Sequence, residues 1–255
     1  MSNTNENHQS ICATTHADVR IKTKVDCAHL VTLNSSSLVA EEIAEMAGCC
    51  PVVFLQDEDA GSFQLSALFA LLPDENLFVN QQGSWTETYI PVGLNMDPFS
   101  VFVGAENEND RIKIRASSPC ISKTDGEKLF ENGQESAYLT DMRAQLETVI
   151  DASIQTEKFI QNLVNRNLIA EFGLTIEGLP DGPKVIKGLY TINIDEFAYL
   201  TNEDVLMFHE MHYWGPIYAI QHSMKKFKKL VQLHNARHPH TKVKLTLHID
   251  RESAE

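Results

Sequence analysis

The sequence predicts an α+β fold, with a mainly antiparallel sheet in the N-terminal half and a long amphipathic helix and helical C-terminal region packing on it. Three observations carry this. Between Pro51 and Val103, short apolar runs are punctuated by turn residues, the rhythm of antiparallel strands. From Leu139 to Leu168, apolar residues recur at spacings of three and four, the stripe of a single helix. Strands and helices do not alternate along the chain, which excludes a doubly wound parallel sheet.

Residues 1–20 are rich in Asn, Ser and Thr and are expected to be disordered. The run RIKTKVDCAHLVTL from Arg20 suggests a first strand. Val39 to Ala47 has helical spacing, with Gly48 as its stop. Pro51–Leu55, Phe63–Leu72 and Leu77–Val79 read as strands, separated by the acidic turn QDEDAG and by Pro73–Asn76. Asn80–Gly83 is a hairpin-like turn leading through Trp85–Tyr89, and Asn95–Pro98 is another, followed by Phe99–Val103. Arg111–Ala116 alternates, with Ile112 and Ile114 pointing inward.

Ser117–Gln134, interrupted by Pro119, Gly126 and Gly133, reads as a surface loop before the long helix. Leu174–Ile176 and Lys184–Ile194 form two strands across a Gly- and Pro-rich turn, and Asp195–Tyr199 a short helix. Thr201 caps the next helical region with Asp204 bonding back to it, and Gly215-Pro216 divides that region in two. Val243, Leu245, Leu247 and Ile249 alternate with polar residues, giving an edge strand or a segment that orders against another chain. The domain organisation is therefore a disordered segment 1–20, one domain over 21–235 (β-rich at 21–116, helix-rich at 137–235) and a tail at 236–255.

A chain of 255 residues buries a full core without metals or crosslinks. The formal net charge of -14 argues against nucleic-acid binding, which rests on phosphate neutralisation. Five irregularly spaced cysteines, none in a CxxC pair, fit reduced thiols in a cytosol. No apolar window approaches the ~20 residues that span a bilayer, and the polar N-terminus does not resemble a signal peptide, so a cytoplasmic location without membrane insertion is expected.

Histidines cluster towards the C-terminus. His209 and His212 are three apart and share a helical face, and with His222 they are a candidate metal site. The intervening Glu210 does not make this a metalloprotease helix, whose histidines are four apart. Partly buried or surface histidines are the plainer reading. Lys225, Lys226, Lys228 and Lys229 give a solvated helix face or a site for an acidic partner. QDED lacks the spacing of a calcium loop. GxSxG, GxGxxG and GxxxxGK[ST] are all absent, and no cofactor is expected.

The ordered series Phe54, Phe63, Leu65, Ala67, Leu68, Asn76–Val79, Gly83, Trp85, Tyr89, Pro91, Pro98 and Phe99 resembles the SapC family. KGLYTINIDEFAYLTNEDVLMFH, with Tyr218-Ala219 and Ser223 beyond it, continues the resemblance, which spans Val25 to Leu233. Two departures stand out: Asn95-Met96-Asp97 replaces a basic or aromatic pair, and the tail after Asn235 is additional. The resemblance implies association with surface-layer or outer-membrane systems. It implies protein partners of the kinds encoded nearby: halogenase-like flavoproteins, cupin-type oxygenases and TonB-dependent receptor systems. It supplies no catalytic residue.

The reading that follows is a non-catalytic accessory or interaction protein of a bacterial surface-protein, uptake or peptide-modification system. Its candidate binding surface is an exposed strand edge with Trp85, Tyr89 and Phe99, although aromatics of this kind equally pack a core. The alternatives are a metal-dependent enzyme at His209, His212 and His222, and a homo-oligomeric scaffold built through the tail.

Overall fold

The unbroken apolar run Val52–Phe54 and the alternating run Phe63–Leu68 are neighbouring antiparallel strands of the main sheet. The computed structural model describes residues 8–23, 27–57, 61–105, 107 and 110–249. In chain order its elements begin with β1 (His8–Ser10), α1 (Ala13–His16), β2 (Arg20–Ile21), β3 (Ser35–Ser37), α2 (Ile43–Cys49), β4 (Val52–Gln56) and β5 (Phe63–Leu68). Next come α3 (Val92–Asn95), β6 (Phe99–Val101), β7 (Ile112–Arg115), β8 (Ile121–Ser122), β9 (Glu127–Lys128), β10 (Phe130–Glu131) and β11 (Gln134–Glu135). The chain continues with α4 (Ala137–Val164), β12 (Ile169–Glu177), β13 (Lys184–Ile192), α5 (Asn202–Glu210), α6 (Trp214–Ser223), α7 (Phe227–Arg237) and β14 (Lys244–Ile249).

The main sheet has six antiparallel strands in the order β14-β12-β13-β4-β5-β3. Val52, Val53 and Phe54 are all buried, so β4 is covered on both faces, as its unbroken apolar run requires. Phe54 pairs with Leu65 on one side and with Tyr190 on the other. Where β4 begins, the buried Ser223 hydroxyl of α6 accepts from Val52 N–H at 2.9 Å, locking that helix to the strand. The tail is an edge strand of this sheet, with Leu174 opposite Leu247. It approaches through Gly178, whose positive φ and bare Cα let Lys242 O come where a Cβ would sit 2.3 Å away. The strands are thus not confined to the first half: β12, β13 and β14 are three of the six.

A second, smaller apolar cluster lies beside the three-stranded sheet β1-β7-β6 and the short ribbon β8-β2-β9. Ile112 and Ile114 point into it, as their alternation predicts. The 28 residues of α4 run about 42 Å and join the clusters. Ser136 caps the helix by accepting from Leu139 N–H at 3.2 Å. Leu139, Leu146 and Ile150 belong to the smaller cluster, and Phe159, Ile160 and Leu163 to the larger. No helix among the described residues is long and apolar enough to cross a membrane.

Several local expectations are corrected. Residues 8–20 are ordered, because β1 pairs with β7 and Ile11 is buried; residues 1–7 lie outside the described set. The expected strand from Arg20 is only β2, followed by a 3-10 turn at Cys27–Leu30, with 24–26 outside the described set. Leu77–Val79 is buried but not a strand, since buried Asn76 folds the chain by donating to Leu30 O and accepting from Phe78 N–H. Ser117–Gln134 is no plain surface loop: it holds β8 to β10 and buries Cys120, Leu129 and Phe130. Gly126 is required there, because any Cβ would lie 2.2 Å from Ile21 O. Gly48 lies inside α2 and does not end it.

Candidate functional site

The three aromatics singled out from sequence are engaged internally. Trp85 is edge-on to Phe69 and Phe78, and its indole N–H donates to Tyr89 O at 2.8 Å. Phe99 is buried in the smaller cluster, so its ring is no part of the surface. Tyr89 is half-buried and lines an open cleft of about 450 Å³ between the segment before α2, α3 and α4. The cleft floor carries Glu42, 4% exposed, whose carboxylate accepts from Tyr89 O–H, Val92 N–H and Val39 N–H at 3.1, 2.6 and 3.1 Å. Burial and the adjacent Glu42 charge push the Tyr89 phenol up to about 12. With three donors satisfied, Glu42 is a structural tie, not a waiting base.

A second carboxylate ties the smaller cluster. Asp97 accepts from Arg115, from Ser118 Oγ and, at 3.2 Å, from Cys120 Sγ. Burial raises the Cys120 thiol to about 11 and pushes Cys50 up further, so neither is a nucleophile at neutral pH. Cys12 is the contrast: it is exposed, and the Thr14 and Thr15 hydroxyls lower its thiol to about 6. The lysine run also turns inward in part. Lys226 Nζ donates to Gly48 O at 2.5 Å and Lys229 Nζ to Cys49 O at 3.1 Å, capping the C-terminus of α2, while Lys229 pairs with Glu87 at 2.7 Å.

His209, His212 and His222 are all exposed and the structure does not bring their ligating atoms together. The shared helical face is lost because α5 ends at Glu210 and His212 adopts a left-handed conformation, φ 57°, beyond it. His222 lies on the following helix. Among the described residues the group whose ligand atoms all fall within 4.8 Å of one another is Glu75, His234 and His238. Glu75 Oε2 is 3.2 Å from His234 Nδ1 and Glu75 Oε1 is 2.8 Å from His238 Nε2. The histidine spacing of four at the end of α7 is open to reading in the sequence; Glu75, about 160 positions away, gives no local signal.

The remaining surface feature is apolar. Tyr199 is 79% exposed, Leu206 57% and Tyr218 46%, with Val205 and Met211 also exposed around α5 and α6. Tyr218 stacks on Trp214 at 6.0 Å, and Trp214 is edge-on to both Phe197 and Phe208. The half-exposed Tyr218 ring is therefore held by a packed aromatic base. Thr201 fixes the start of α5 by a reciprocal cap with Asp204, which Arg166 binds at 2.6 Å; those contacts hold the Asp204 carboxyl below its ordinary range. Solvent-facing aromatics anchored in this way have few rotamers to lose on contact with a partner.

The family model described as SapC matches residues 11–230. No curated protein and no solved structure matches the chain.

Proposed function

The chain belongs to the SapC family, and on that premise we propose that it is a non-catalytic accessory protein that binds a protein partner in a bacterial surface-protein, uptake or peptide-modification system. The observation that carries this reading is the set of exposed apolar side chains on and just before α5 and α6, Tyr199, Leu206 and Tyr218, of which Tyr218 is packed on Phe197 and Trp214. Aromatic and Met side chains are enriched at interfaces, and a ring anchored from below gives contact area at low entropic cost. On this reading the partner-facing surface belongs to the C-terminal helices, away from Trp85, Tyr89 and Phe99. The same reading puts the protein in the cytoplasm, where its candidate partners are the halogenase-like flavoproteins and cupin-type oxygenases or the cytoplasmic stages of TonB-dependent receptor systems.

The test is copurification of the tagged chain with the products of its neighbouring genes, in parallel with a Leu206→Asp/Tyr218→Asp variant. One product should bind stoichiometrically to the native chain and be lost from the variant, whose urea midpoint should fall only modestly because both side chains are about half exposed. Absence of any such product, or binding indifferent to the two substitutions, would overturn the reading.

A further inference from the structure

The geometry points to a binding site for a divalent transition-metal ion, of the zinc class, formed by Glu75, His234 and His238. His234 sits in the last turn of α7 and His238 immediately follows the helix, and the chain turns so that their ring centroids are 4.6 Å apart. Glu75 reaches them from the turn after β5 and offers one oxygen to each ring, at 3.2 and 2.8 Å. An ion with bonds of about 2.0–2.1 Å in a tetrahedral shell separates its ligands by about 3.3 Å, close to both spacings. Small side-chain rotations would therefore convert the hydrogen-bonded triad into a coordination shell.

Burial supports the same assignment. His234 is 3% exposed, so an ion held by its ring is shielded from water on that side. The 3.2 Å spacing puts the ion on His234 Nδ1, the nitrogen that faces Glu75, so the binding form is the tautomer with its proton on Nε2 and the Nδ1 lone pair free. His238 has 44% side-chain exposure, so the site is closed on the His234 side and open to solvent on the other, which leaves room for a water ligand and a route for exchange. Two imidazoles and one carboxylate suit Zn²⁺ and its neighbours in the first transition row, and not Ca²⁺ or Mg²⁺, which take oxygen shells.

One charge opposes the ion. Arg237 lies 4.0 Å from Glu75 Oε1, but its guanidinium is turned to the carbonyls of Asn76, Leu77 and Val79, which disperse its charge. The bland counterpart is a metal-free clasp in which Glu75 simply pins α7 to the 73–79 turn. The two differ in what an added metal does.

Protein stripped with a chelator and titrated with Zn²⁺ should bind one equivalent more than His238→Ala does, and Co²⁺ should give visible absorption bands of a low-coordinate nitrogen/oxygen site. His238→Ala and Glu75→Gln should each weaken that site by about tenfold or more, with circular dichroism unchanged, while His222→Ala leaves it intact. His238 is the informative position because its partial exposure makes its loss tolerable even if His234→Ala unfolds the chain. Equal Zn²⁺ binding by native protein and His238→Ala, or no binding by either, would leave only the clasp.

Discussion

The two apolar clusters at either end of α4 are built from different kinds of sequence. The larger gathers β4, β5, β12 and the helices α2, α6 and α7, elements long enough to carry a burial pattern readable along the chain. The smaller gathers Ile11, Ile21, Phe99, Ile112, Ile114, Cys120, Leu129 and Phe130, mostly from strands of two to four residues. Segments that short have no stable conformation alone, and a two-residue strand exists only because something pairs with it. One region is thus legible in local pattern, the other only in its assembly on α4, whose C-terminal half packs in the larger cluster. The difference gives α4 a structural role, that of making the weaker cluster part of the stronger one.

The sharpest way to break that comparison is to open a cavity at each end of α4. Phe159→Ala removes a fully buried ring that sits edge-on to Tyr213 at 5.0 Å and should cost about 3–5 kcal/mol. Ile114→Ala, equally buried in the smaller cluster, should cost about 2–5 kcal/mol. If α4 couples the clusters, both variants lower the midpoint of one urea transition followed by circular dichroism. A separate early transition in Ile114→Ala alone would show that the smaller cluster melts by itself.

The same contrast explains what is legible in the sequence. The α4 stripe, the alternation of Ile112 and Ile114, the Thr201–Asp204 cap and the strand periodicity of the tail are all local patterns, and each is present. The motif series from Phe54 to Phe99 carries the family. What resists reading is set by partners far along the chain. β1 becomes a strand through β7, about 100 residues away; Asn76 bends the 77–79 segment by bonding to Leu30; Lys226 and Lys229 spend their charge on the carbonyls of Gly48 and Cys49. The site residues follow the same rule. His209 and His212 share a face only if α5 continues past Glu210, and Glu75 joins His234 and His238 only in three dimensions.

A middle-sized effect tests whether the smaller cluster depends on its polar tie. Asp97 gathers Arg115, Ser118 and Cys120 from the segment that follows β6, a role that local apolar pattern plays in the larger cluster. Asp97→Ala leaves those donors without their shared acceptor in a largely buried setting and should cost on the order of 3 kcal/mol. Thermal denaturation at neutral pH measures this directly. A loss below about 0.5 kcal/mol would mean that water replaces the carboxylate at little cost, and that the tie only decorates the cluster.

The smallest effect compares a tyrosine from each cluster through pH. Tyr89, on the rim of the larger cluster, and Tyr138, on the smaller, are each pushed up to about 12: burial is the main cause for both, joined by the Glu42 charge at Tyr89 and by Cys120 and Glu127 at Tyr138. An unfolded tyrosine ionises near 10. Between pH 10 and 12 the unfolded chain therefore sheds these protons while the folded chain keeps them, so stability that is complete below pH 10 falls as the pH rises towards 12. Tyr89→Phe removes one such proton and its bond to Glu42. At pH 7 it should cost about 1 kcal/mol, and above pH 10 its stability should decline less steeply than that of the native chain. Tyr138→Phe should flatten the same limb with a smaller loss at pH 7, because among the described residues its hydroxyl binds no carboxylate. Thermal melts across pH 9–11.5 separate the cases. Equal slopes in all three proteins would mean that both phenols ionise as freely in the folded chain as in the unfolded one, and that α4 seals neither rim against water.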